Sequence, residues 1–269
     1  MRTIWAIFLS MIFSCLLAQE CTYSTFYDYR QKAMDYESAG DVAKAIHFYG
    51  LELACLAEIS GRNAKYAEEL TFMGWVIQQS GAYNEALDSL NAALEIFRSL
   101  GQEDSYSGAY AYLCLAKTYN VADALYFYKA RRYADTAILK YSAIKGPNSK
   151  EVSYGYRAIG EAFYLNTNYD SSLHYYLKAR ETLLNGGHQS SRIYSINEQD
   201  IATISIASGT FSESLLKVYK DELASLNPDV DRDDWHTLVA NLTEAYMKNE
   251  QFDSASKYLG LYQKSRKVR

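Results

Sequence analysis

Proline is nearly absent: the 269-residue chain has two, Pro147 and Pro228. A proline inside a helix costs about 3 kcal/mol, so avoiding it suits a chain built of long helices. No run of alternating β-branched residues marks a sheet. Cysteine is scarce as well. Beyond Cys15 there remain Cys21, Cys55 and Cys114, an odd number that leaves at least one thiol unpaired. Cys55 and Cys114 sit within apolar helical stretches and read as buried small hydrophobes. The net charge is -5, and no basic stripe could neutralise phosphates, which argues against nucleic-acid binding.

Catalytic and metal signatures are missing too. His47, His174, His188 and His236 are scattered, with no pair spaced for zinc. His47 and His174 each follow a repeat anchor by two residues and read as structural. The Gly186-Gly187 pair joins no strand to a helix, so it reads as a loop and not as a phosphate cradle. The acidic run at residues 227–234 lacks the glycine and terminal Glu of a calcium loop. It reads as a solvated turn with Asp233 or Asp234 capping a helix. No Ser-His-Asp or Cys-His arrangement stands in a positioning context. The expectation is a non-enzyme with no catalytic residue, no metal and no cofactor.

What is present is a repeat. First-helix anchors fall at Ala33, Gly74, Ala116, Gly160, Ala202 and Thr243, 41 to 44 residues apart. Second-helix anchors fall at Ala45, Ala86, Thr136, Ser172, Ser214 and Ala255. Each lies 12 residues after its partner, except Thr136, which lies 20 after. Small residues let two antiparallel helices approach, and apolar residues at i, i+3, i+4 and i+7 bury one stripe of each. Gly40-Asp41, Gly81-Ala82, Thr167-Asn168 and Gly209-Thr210 supply the turns. A fixed period of this size means stacked helical hairpins. The third copy carries eight extra residues near 120–127, which predicts a first helix about two turns longer than the others. Tyrosine, at 26 residues, fills inter-helix space and the half-exposed rim.

These residues resemble the tetratricopeptide repeat, whose unit is about 34 residues. The longer period, the loops at 100–106 and 144–152 and the stretch Ala137-Ile138-Leu139-Lys140-Tyr141 are similar to the kinesin light chain type. Of that type's paired first-helix Asn residues, Asn241 matches one. The resemblance implies an all-α, right-handed α-solenoid of about six hairpins. It forms one array over residues 19–269, with repeats near 26–59, 67–100, 109–144, 153–186, 195–228 and 236–269. It also implies a concave groove lined by first helices. The groove residues are then Tyr27, Arg30, Thr71, Trp75, Tyr110, Lys117, Tyr154, Arg157, Glu161 and Tyr164. Met34, Gln78, Leu113, Gln199, Thr203, Thr237, Glu244 and Lys248 fall on the same mapped face. Aromatics and Arg are enriched at binding hot spots.

The chain opens with Met1-Arg2-Thr3 and then an apolar run over residues 4–18, too short for a bilayer, which needs about 20. It reads as a bacterial-type signal peptide cut after Ala18. Loss of Arg2 would leave 26 basic and 32 acidic residues, or -6. A competing reading is lipidation at Cys15, preceded by Ser14, and a third is a retained anchor. Either would attach the protein to a membrane.

The functional expectation is an exported, periplasmic or extracellular scaffold that binds a peptide or protein segment in the groove. The alternative is a regulatory or sensor half of a split signalling or protease system whose catalytic domain lies on another chain. In the last helix, Ala255, Tyr258, Leu259 and Tyr262 read as the packed stripe. Leu261 reads as outward, available for end-on self-association, and the basic residues from Lys264 to Arg269 favour the helix C-terminus.

Overall fold

The computed structural model describes residues 20–208, 213–228 and 232–266. The N-terminal apolar run with Cys15, Gly209, Thr210 and Arg269 lie outside the described residues, as do the side chains of Ser214, Asp233, Asp234, Thr237 and Lys264. The described residues form twelve α-helices and no strand. The chain divides into two compact units, residues 1–122 and 123–269.

The first unit holds α1 (Tyr23–Ser38), α2 (Val42–Ser60), α3 (Ala64–Gln79), α4 (Tyr83–Ser99) and α5 (Tyr106–Ala122). The second begins with a 3-10 turn (Ala124–Tyr126). It continues with α6 (Phe127–Lys145), α7 (Lys150–Leu165), α8 (Tyr169–Asn185), α9 (Arg192–Ser208), α10 (Glu213–Ser225), α11 (Arg232–Lys248) and α12 (Phe252–Arg266). Consecutive helices pack as antiparallel hairpins: α1 on α2, α3 on α4, α7 on α8, α11 on α12. The fold is the all-α stack of tetratricopeptide-like hairpins that the periodicity predicts. No described helix is long and apolar enough to cross a membrane.

Small anchors explain the close packing. Ala33, Ala45, Ala86, Ala116 and Ala202 are fully buried. A Cβ on Gly74 would stand 2.8 Å from Leu90 Cγ, and one on Gly160 would stand 2.5 Å from the Tyr176 ring. The turns share one backbone solution. Seven residues after the anchor, Gly40 and Gly81 take φ of 78° and 85°. Thr167 and Glu250 take 58° and 56° at the same repeat position, a region that penalises side chains with a Cβ. The following amide returns to the helix: Asp41 N to Tyr36 O at 2.9 Å, Asn168 N to Phe163 O at 3.0 Å. Asp41 and Asn168 then cap the second helix by accepting from the amides of Lys44 and Ser171.

Two expectations are corrected here. The extra residues of the third copy do not lengthen its first helix, because α5 ends at Ala122. Asp123 is extended and accepts from Leu125 N at 2.8 Å, which starts the 3-10 turn and breaks the helix. The surplus goes into that turn and the early start of α6. The repeats also begin three or four residues earlier than read, at Tyr23, Ala64, Tyr106, Lys150, Arg192 and Arg232. Thr22, Asn63 and Ser149 cap an added turn at three of these starts. The boundary between the units falls inside the third copy, between its two helices.

The buried thiols of Cys55 and Cys114 are free, and burial pushes the Cys114 thiol up to about 12. His47 and His174 make matching edge contacts, each ring 5.3 Å from the aromatic that follows it.

Candidate partner-binding face

Within each unit the first helices form the inner layer. In the first unit α3 touches α5; in the second α7 touches α9 and α9 touches α11. Among the described residues, second helices make no comparable contact with one another. The ten mapped residues therefore fall into two sets: six on α1, α3 and α5, and four on α7.

In the first unit, Arg30, Thr71 and Tyr110 come together around a cavity of about 270 Å³, with Lys65, Glu68 and Phe72. Arg30 is not aimed outward. Its Nη1 donates to Glu69 Oε1 at 2.7 Å and lies 3.6 Å from Glu52 Oε1. Lys65 Nζ reaches the same Glu69 oxygen at 2.7 Å. Glu52 is 1% exposed, on α2 behind the pair. Burial, and next the charge of Glu69, push its carboxyl up to about 7, against the pull of Arg30 and Lys65. Ser107 Oγ donates to Glu68 at 2.7 Å, tying α5 to α3.

Two mapped positions are corrected by burial. Thr71 is 1% exposed and its hydroxyl donates to Ala67 O at 2.8 Å. Leu113 is buried in α5. Both point into the layer between helices. Trp75 is half-buried, its ring stacked on Phe72 at 5.8 Å. Lys117 and Tyr110 are half-buried, and Tyr27 is exposed with its edge against Phe26.

In the second unit, Tyr154, Arg157, Glu161 and Tyr164 run along one face of α7 at i, i+3, i+7 and i+10. Both tyrosines are exposed, and Glu161 is half-buried. Arg157 again serves the stack. Nε and Nη2 donate to Asp200 Oδ2 of α9, at 3.2 and 2.5 Å. Farther along, Lys248 Nζ donates to Ile206 O at 2.8 Å and pairs with Glu244 at 3.3 Å.

Arg30 and Arg157 occupy the same repeat position, three residues before Ala33 and Gly160. Each reaches a carboxylate one repeat on, 39 and 43 residues away. They are inter-repeat ties. Glu52, Glu69 and Asp200 were missed in the sequence. The available signal was a carboxylate one period after each Arg. Among the described residues no cluster of three or more His, Cys, Asp or Glu could hold a metal ion.

No known family profile matches the chain. No curated protein matches it in sequence. Solved structures do. The chain is similar to BtubC (BKLC) from P. vanneervenii, at TM-score 0.65 and 18% identity, covering 89% of this chain and 91% of that one. It is similar to a Podosopora anserina putative kinesin light chain with nearly identical TPR-like repeats, at TM-score 0.61 and 13% identity, covering 76% and 96%. It is also similar to a Rap protein complexed with competence and sporulation factor, at TM-score 0.61 and 14% identity, covering 90% and 75%. At these identities the likeness establishes the tetratricopeptide-like fold.

Proposed function

We propose that the chain is an exported scaffold that holds a peptide or protein segment along its first-helix face. The observation that carries this reading is the face of α7. Exposed Tyr154 and Tyr164 flank Arg157 and Glu161, and the Arg157–Asp200 pair fixes the helix beside it. Exposed tyrosines on a rigid helix offer large contact area at little entropic cost, and a hydroxyl for a polar backbone. The likeness to a Rap protein whose structure contains competence and sporulation factor supports a binding role for the fold.

The test is capture of a partner from the native envelope by full-length protein. Tyr154→Ala with Tyr164→Ala removes capture while the helical circular dichroism and melting temperature stay unchanged. Full capture by that double variant sinks the assignment. Export rests on the apolar run at residues 4–18. N-terminal sequencing of the mature protein begins at Gln19. An intact Met1 or a lipid on Cys15 would place it on a membrane.

A further inference from the structure

The outward face of α6 differs from that of α4. The exposed stripe of α4 is Asn84, Asp88, Ala92, Glu95 and Ser99. Along one face α6 exposes Tyr128, Arg132, Asp135, Leu139 and Ala143. Tyr128 is 81% exposed and Leu139 71%, and Leu125 just before them is 86%. The charge is unusual too. In a chain of net charge -5, α6 carries Lys129, Arg131, Arg132, Lys140 and Lys145 against Asp135 alone. Arg131 is half-buried, with Nη2 donating to the Tyr175 hydroxyl at 3.3 Å, the guanidinium over the Phe163 ring and Nε 3.8 Å from Asp135 Oδ2. Arg132 and Lys129 are exposed. Tyr128, Arg131, Arg132, Asp135, Thr136 and Leu139 line a shallow depression of about 430 Å³.

We propose that this depression docks an acidic segment of a partner protein, with one apolar side chain set on Tyr128, a second on Leu139, and carboxylates meeting Arg132 and Lys129. Exposed apolar side chains of this size are functional far more often when grouped than when single. The basic rim in an acidic chain selects the partner's sign. Tyr128 and Leu139 are eleven residues apart, about 16 Å along the helix, the reach of about five extended residues or three helical turns. A lipid surface fits less well. Asp135, Thr136 and Arg132 interrupt the apolar pair with charged and polar groups. The surface lies on a second helix and stands apart from the first-helix face proposed above.

The experiment uses the full chain and fluorescence anisotropy. The probe is a labelled synthetic helix of Glu with Leu at i, i+4, i+7 and i+11, alongside its Lys-for-Glu counterpart. The acidic probe binds, and binding weakens as salt rises. Leu139→Ser and Arg132→Glu, both at exposed positions, each weaken it by about tenfold, or about 1.4 kcal/mol. The Tyr154→Ala, Tyr164→Ala protein binds the probe as wild type does, which separates this surface from the other. Equal binding of both probes, no binding, or binding unmoved by the two variants overturns the proposal. Attachment to phosphatidylglycerol vesicles with no peptide binding assigns the patch to a membrane instead. Concentration-dependent dimerisation abolished by Arg132→Glu assigns it to a second copy.

Discussion

Arg157 grips Asp200 through two nitrogens on a single carboxylate oxygen, across 43 residues and one repeat. Arg157 is mostly shielded and Asp200 about one-third exposed, so solvent screens the pair only in part. Asp200→Asn is expected to lower stability by about 1 kcal/mol in urea unfolding. Arg157→Ala should cost a similar amount and leave Asp200 without its partner. A partner-capture loss in an Arg157 variant is therefore read beside its unfolding midpoint. If both variants unfold like wild type, the tie contributes nothing and Arg157 returns to the list of partner contacts.

Glu52 gives the protein a pH dependence of definite sign. Its carboxyl is held near 7 in the folded chain, above the usual 4.5. Between those values the folded state keeps a proton that the unfolded state has released. Stability from this group is present in full below about 4.5 and is lost as pH rises through about 7. The expected loss is roughly 3 kcal/mol. Glu52→Gln removes the dependence, so wild type and variant should differ more at pH 8 than at pH 5 in urea midpoint. The variant is the more stable at pH 8. Parallel pH profiles would show that Glu52 is ionised in both states.

Thr167 and Glu250 adopt the left-handed conformation that Gly40 and Gly81 adopt at the same repeat position. A β-branched residue pays most for that conformation. Thr167→Gly should raise stability by about 1 kcal/mol, net of the entropy glycine loses on folding. The change is read as a higher melting temperature with unchanged partner capture. Thr167→Ala, which keeps the Cβ, should gain much less. Equal gains would mean that the relief lies elsewhere.

Legibility in the sequence followed the physics. Gly74 and Gly160 advertised the repeat because each stands under a large side chain, Leu90 or Tyr176, and nothing bigger fits. Turn positions were visible for a different reason, the positive φ that Gly40 and Gly81 take. The break after Ala122 was not, because a single aspartate capping a 3-10 turn leaves no trace in hydrophobic periodicity. Nor was the division into two units, since composition is even across it. Arg30 and Arg157 were read as groove residues; their carboxylate partners are set by stacking, one period away. Glu52, in the run Leu51-Glu52-Leu53, resembles any solvent-facing residue of an amphipathic helix until α1 and α3 close over it.

The last helix supplies a correction that changes its own test. Ala255 and Tyr258 are buried, and Leu261 and Tyr262 pack beside them on the core of the second unit. Leu259 is the exposed one at 46%, in line with Phe252 seven residues earlier. The stripe runs through i+3 and i+7 from Ala255 and Tyr258, so Leu261 faces in and Leu259 faces out. Leu261→Glu should therefore lower stability by about 1–2 kcal/mol through a half-buried charge, without reporting on assembly. Leu259→Glu should leave stability within about 0.5 kcal/mol of wild type. Light scattering at high concentration then tests end-on self-association through this helix. A wild-type oligomer that Leu259→Glu reduces to monomers supports it, and a monomeric wild type unchanged by Leu259→Glu removes it.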